Sequence, residues 1–209
     1  KVILPIATAL IAVFGVSCGG TSEKDDSGNA QKTAVQEEVV KPLEFDSTNL
    51  FIGWTAFKTT DSVAVRGQFT DYKLAGISNG DTPQSIFLGA AIDIQTKSVS
   101  TGNQTKNSNI INYFFGKFDY PEQIKVSVKE LSDDKGILTI TMNEVSKDIE
   151  VISTFDDRTY MLEGTLSLEE FNVASAANAL NQHCGPNHMG SDGVVKLFDS
   201  VYIIVKAEL

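Results

Sequence analysis

The sequence predicts an all-β fold, an antiparallel eight-stranded barrel with one or two short helices at its mouth, and three observations carry that expectation. First, apolar and polar residues alternate in several runs. In residues 62–72, Val63, Val65 and Phe69 share one parity, while Ala64, Arg66, Gln68 and Thr70 hold the other, the pattern of a half-buried strand. Second, Gly67 stands where the apolar row would continue; a glycine there marks a sharp bend or a close backbone approach, the kind of corner a closing sheet needs. Third, most such runs are separated by short turns, as in a meander. A barrel of about eight strands is wide enough to hold one slender ligand or to be filled by its own side chains.

The elements follow in order. Residues 50–58, L-F-I-G-W-T-A-F-K, are apolar on both parities and read as a strand covered on both faces. After residues 62–72 comes a loop at 76–83, and then residues 85–95 read as a strand, with Ile86, Leu88, Ala90, Ile92 and Ile94 on one parity. Residues 107–118 break the period and concentrate aromatics, which suits a short helix or an irregular cap. Alternation returns in 123–131, and Ser132-Asp133-Asp134-Lys135-Gly136 is a hairpin turn by composition. It leads to strands at 137–142, 149–155 and 160–168, with turns near 143–146 and at Asp156-Asp157, and to a last strand at 200–207. Within 172–183, Val173, Ala176, Ala177 and Leu180 form a helical stripe stopped by Gly185-Pro186, a helix placed to cover one mouth.

Composition narrows the partners. The chain carries 27 acidic against 17 basic residues, a formal charge of -10, so phosphate backbones are repelled and no nucleic-acid partner is expected. At 209 residues the chain suffices for one folded domain with a sizeable core. Two cysteines do not make a disulfide framework.

Cys18 closes an apolar run from Val2 to Val16 that ends in small residues, the layout of a secretory signal over residues 1–17. The junction V-S-C-G-G at 16–20 resembles a bacterial lipobox, with Gly15 where leucine usually stands. The expectation is lipidation at Cys18 and a membrane partner reached through that N-terminal anchor, in the bacterial cell envelope. Lys1 is not an initiator methionine, so further residues are expected to precede it. Residues 18–42 are polar and charged and read as a flexible tether, leaving 43–209 as the barrel domain. The acidic cluster Glu23, Lys24, Asp25, Asp26 resembles an outer-surface sorting tag, although such a charge run is more often simple solvated linker.

A longer-range likeness runs from about Leu43 to Leu209. Its pieces are W-T-A-F-K at 54–58, V-R-G-Q-F-T at 65–70, S-V-S-T-G-N at 98–103, N-Y-F-F-G-K-F at 112–118 followed by Pro121, and G-T-L-S-L from Gly164. In their order and spacing these resemble the YceI-like family of lipid- or polyisoprenoid-binding proteins, whose barrels resemble lipocalins. The family's His-Gly-Val-Thr-Lys turn is replaced by Asn143-Glu144-Val145-Ser146-Lys147, which leaves no turn histidine. The resemblance implies a non-catalytic carrier for an isoprenoid or other long apolar lipid, needing no cofactor.

If the barrel is hollow, its ligand-binding wall is expected to include Trp54, Val65, Phe69, Ile92, Tyr113, Phe114, Phe115, Phe118, Phe155, Leu166 and Leu180. Two other readings stand beside the carrier: a structural surface lipoprotein with a filled barrel, and a metal or thiol site at His183, Cys184 and His188. The spacing of those three matches no paired zinc motif, and no metal is expected. No phosphate loop, Ser-His-Asp arrangement or carboxylate pair in a catalytic setting marks an enzyme.

Overall fold

In the computed structural model, which describes residues 42–209, ten strands form one antiparallel sheet in the order β3-β4-β6-β7-β8-β9-β10-β1-β2-β5. They are β1 (Leu50–Lys58), β2 (Val63–Phe69), β3 (Tyr72–Ala75), β4 (Ala91–Gln95), β5 (Val99–Ser100), β6 (Gln123–Leu131), β7 (Lys135–Met142), β8 (Val145–Asp156), β9 (Thr159–Ser167) and β10 (Leu197–Glu208). Three helices accompany them: α1 (Pro83–Phe87), α2 (Gln104–Asn109) and α3 (Ala174–Cys184). The expected signal segment, Cys18 and the tether up to residue 41 lie outside the described residues.

The hairpins β6–β7–β8–β9 follow the expected meander. The β7–β8 turn places Asn143 and Glu144 at φ 51° and 62°, and the β8–β9 turn places Asp157 and Arg158 at 41° and 70°. Two consecutive left-handed residues match the right-handed twist of the flanking strands. The sheet then curls until β10 pairs with β1, joining the last strand to the first from Leu50↔Ala207 to Lys58↔Leu197.

Instead of eight uninterrupted strands closing on themselves, the structure has a curled ten-stranded sheet, because two long strands are each broken at a corner. The chain leaves β2 through Thr70 and Asp71 and resumes as β3; it leaves β4 through a 3-10 turn, Thr96–Ser98, and resumes as β5. β2 pairs with β5 and β3 with β4, and across the corners Thr70 N–H donates to Ser98 O at 3.3 Å and Gln95 N–H to Asp71 O at 3.0 Å.

Residues 85–95 also depart from the expected strand. Thr82 caps α1 in a reciprocal capping box with Ser85, and Pro83 opens the helix. This local signal overrides the alternation through Ile86 and Leu88: adjacent Ile86 and Phe87 are both buried, and Leu88 is exposed. The strand begins only at Ala91. The aromatic stretch is helical as expected, with α2 running into a π-helical turn, Ile110–Phe114, and a 3-10 turn, Phe115–Lys117.

Inward parities of β6 to β9 build the core through Val128, Leu138, Ile140, Met142, Ile149, Val151, Tyr160, Leu162 and Leu166. At the end of the sheet where Leu50 meets Ala207, aromatic rings pack across the interior. Phe87 stacks on Tyr160 with ring centroids 5.5 Å apart, and Phe45 meets Phe87 edge-on at 5.0 Å. Ser153 Oγ–H donates to the buried Tyr160 hydroxyl at 2.9 Å, so the one polar tip in this plug is satisfied. The opposite end lies under α3 and the 104–118 segment.

Gly67 serves close approach rather than the corner, which falls three residues later. It pairs with Trp54, and a Cβ at 67 would lie 2.3 Å from Trp54 Cζ2. Gly67→Ala therefore has to displace the indole, at about 1–3 kcal/mol by the usual cost of overpacking. Urea unfolding should show that loss, and the emission of Trp54, the chain's single tryptophan, should shift with it. Unchanged stability and emission would mean that the ring does not rest on this glycine.

Candidate functional site

A cavity of about 430 Å³ opens into the sheet from the end beneath α3. The register of β1 sets its wall: Ile52, Trp54, Ala56 and Lys58 share a parity and all line it. β2 adds Val65 and Phe69, β7 adds Leu138, Ile140 and Met142, and β10 adds Val201, Ile203 and Val205. The cover comes from the helical segments. Ile110, Phe114 and Phe115 face the cavity from the turns after α2. On α3, residues four apart share a face: Ala176 is buried in the core, and Leu180 and Cys184 line the cavity.

Trp54 Nε1 is buried and has no hydrogen-bond acceptor among the described residues. An unpaired buried donor costs roughly 1–3 kcal/mol. In a wall otherwise made of aliphatic and aromatic carbon, this N–H is the polar group that an oxygen on a bound molecule would satisfy.

The open end is polar. Lys58, Asn103, Lys106, Asn109, Asn187 and His188 line it. Lys58 Nζ donates to the Asn187 carbonyl at 2.6 Å, and Asn109 Nδ2 donates to Cys184 Sγ at 3.8 Å. His188 is buried, and its Nδ1 lies 2.9 Å from Asn181 Oδ1; that oxygen can only accept, so Nδ1 carries the hydrogen. Burial, with the Lys58 ammonium adding to it, holds the His188 imidazole below its ordinary pKa.

The histidines and cysteine at 183, 184 and 188 do not converge. His183 Nε2–H donates to Asn109 Oδ1 at 3.2 Å and its ring stacks on Tyr113, centroids 3.5 Å apart, whereas His188 turns to Asn181. Among the described residues no group of three or more His, Cys, Asp or Glu side chains is placed to hold a metal ion. Burial pushes the Cys184 thiol above its ordinary pKa, the opposite of what an activated nucleophile needs.

Of the residues expected on the ligand wall, Trp54, Val65, Phe69, Phe114, Phe115, Leu166 and Leu180 line the cavity. Four sit elsewhere. Ile92 is buried against Ile52 and Ile94, which line the cavity, but does not line it itself. Tyr113 is taken up by His183. Phe118 is buried behind Phe114 and Phe115, with centroids at 5.1 and 5.5 Å. Phe155 shares the parity of buried Val151 and Ser153, yet it is exposed because β8 has there run past the core to its turn. Alternation in β7 carries enough signal to find Leu138, Ile140 and Met142. Val201, Ile203 and Val205 belong to a strand apolar on both parities, and the polar rim comes from segments far apart in sequence.

The neutral state of His188 has a consequence for stability. Its folded pKa lies below the unfolded value of about 6.5, so the unfolded chain binds this proton first. The contribution is complete above pH of about 6.5 and is lost as pH falls through the folded pKa. Thermal unfolding at neutral and mildly acidic pH should show a larger loss in the parent chain than in His188→Gln. Equal losses would contradict the assignment.

The fold has counterparts among solved structures. BcnA from Burkholderia cenocepacia is 16% identical with a TM-score of 0.51, over 78% of this chain and 98% of that one. A domain from Saccharophagus degradans, described as polyisoprenoid binding and implicated in plant cell wall breakdown, is 17% identical with a TM-score of 0.52, over 78% and 96%. At such identities the likeness is one of fold. No curated protein matches the chain in sequence. Residues 43–208 match the YceI-like domain, an assignment that spans nearly all of the described residues: the chain belongs to the YceI-like family.

Proposed function

We propose that the chain is a non-catalytic carrier or binding protein for one long-chain apolar molecule, an isoprenoid or other lipid, held within the curled sheet. YceI-like domains are non-catalytic lipid carriers, and the observation that bears most directly on this chain is the apolar cavity of about 430 Å³. A purely structural barrel would fill that space with side chains, as the Phe87–Tyr160 end does. The fold likeness to a polyisoprenoid-binding domain supports the same class of cargo. Around the cargo the curled sheet serves as an eight-stranded wall, with β2–β3 and β4–β5 each acting as one bent strand. The backbone bonds across both corners support it.

The magnitudes are adequate. Burying about 15 methylenes at about 0.8 kcal/mol each gives about 12 kcal/mol gross. Against association costs at the lower end, about 4 kcal/mol, about 8 remain, which is micromolar binding. The test is to purify the chain from a bacterial host, denature it, extract with organic solvent and identify the extract by mass spectrometry. An isoprenoid or acyl lipid near one per chain is expected. An extract no richer in lipid than that of a control protein would end the carrier reading.

Attachment to the cell envelope through Cys18 belongs to the same proposal. It is supported by the V-S-C-G-G junction after an apolar run. One acyl chain anchors only marginally, so two or three on Cys18 would be needed for stable attachment. Cys18→Ser should move the protein out of the membrane fraction or leave the signal uncleaved. Unchanged partition together with unchanged processing would refute the anchor.

A further inference from the structure

We propose that the cargo is a single-chain amphiphile with an anionic head, a carboxylate or a phosphate monoester on about fifteen carbons, whose head is received by Lys58 and Lys106 at the open end of the cavity. The inference rests on the carrier reading and narrows it.

The charge of the cavity is opposite to that of the chain. Acidic residues outnumber basic ones 27 to 17 overall, yet the described residues lining the cavity include two lysines and neither aspartate nor glutamate. Neither ammonium has a carboxylate partner among the described residues, where the one ion pair is Lys129–Asp148. The carboxylates of the adjoining loops are otherwise engaged: Asp61 accepts from Ser191 N–H and Oγ–H, and Asp192 from Thr60 Oγ1–H and Val194 N–H.

The two lysines belong to one rim. Lys58 is the last residue of β1, and its ammonium is near enough to Cys184 to favour the thiolate there. Cys184 in turn receives the Asn109 amide N–H, and Asn109 stands three residues after Lys106 on α2, one turn along the same face. The Asn187 carbonyl fixes the Lys58 ammonium through one of its three N–H groups and neutralises none of its charge. A cationic head finds no carboxylate among the described lining residues. An oxyanion gains charge-assisted hydrogen bonds from Lys58 and Lys106, with amide donors at Asn103 and Asn109 beside them.

The size of the cavity sets the tail. One water occupies about 30 Å³ of liquid and a methylene is of similar bulk, so about 430 Å³ accepts on the order of fifteen carbons. That is room for one acyl-length chain within the wall.

Calorimetric titration of the purified, delipidated chain decides it. The ligands are hexadecanoate, hexadecyl phosphate, hexadecanol and a polyprenol of roughly forty carbons. At least one of the two anions should bind about ten-fold tighter than hexadecanol, the effect of roughly two partly exposed charge contacts, and whichever anion does so names the head. That preference should shrink toward unity in Lys58→Gln and in Lys106→Gln, and in salt near 1 M, where the screening length is about 3 Å. Lys106 is exposed on α2, so its variant decides the matter if Lys58→Gln does not fold. Equal affinity for the anions and the alcohol, or tightest binding of the polyprenol, overturns the inference and leaves the carrier reading standing. No binding of any of the four removes both.

Discussion

The register that holds β1 between β10 and β2 is the constraint on which the rest of the structure depends. It joins the last strand of the domain to the first, Leu50 to Ala207 and Lys58 to Leu197, so the sheet cannot flatten without losing that ladder. It also fixes parity. Because side chains alternate, this register turns Ile52, Trp54, Ala56 and Lys58 toward the interior together, and a slip of one residue would present their neighbours instead. The same pairing brings Trp54 opposite Gly67, where the absence of a Cβ lets a large ring lie against the neighbouring strand. Wall and rim thus come from one strand: an apolar stretch inside, then a cation where the strand ends.

Two ends of one interior have opposite chemistry. At the Leu50 end, Phe45, Phe87 and Tyr160 fill the space with stacked and edge-on rings, and the tyrosine hydroxyl is satisfied by Ser153. At the Lys58 end the cover is a set of short helical turns whose aromatic residues, Phe114, Phe115 and Phe118, pack edge-on against one another. This cover, with α3 beside it, has none of the interstrand backbone ladder that holds the sheet. Local opening costs less in a segment held by side-chain packing than in a central strand.

Much of this was legible in the sequence where a single periodicity acted alone. The clean alternation of Ile124, Val126 and Val128 marks β6, the i, i+3, i+4, i+7 stripe marks α3, and the aromatic break in period marks the helical cover. Legibility failed where two signals competed or where the answer lay in tertiary contact. At residues 85–95 the alternation hid a capping box at Thr82 and Ser85. In β1 and β10, apolar on both parities, the inward face is set by pairing. Gly67 announced a special backbone position but did not say that the corner would come at Thr70 and Asp71, which is why ten strands stand where eight were expected. Phe155 has the parity of a wall residue and lies past the end of the core. The polar rim was invisible because Lys58 and Asn187, bonded in the structure, are 129 residues apart.

Trp54 offers the most direct measurement, since it is the one tryptophan of the chain and stands on the cavity wall. Its fluorescence can be followed while the chain is titrated with a long apolar molecule bearing a nitroxide quencher. If that cavity is the binding site, quenching saturates near one molecule per chain, exceeds that from a water-soluble nitroxide, and is reversed by an unlabelled chain. Quenching that stays weak, rises without saturation and is indifferent to the unlabelled competitor would contradict a cargo held inside the sheet.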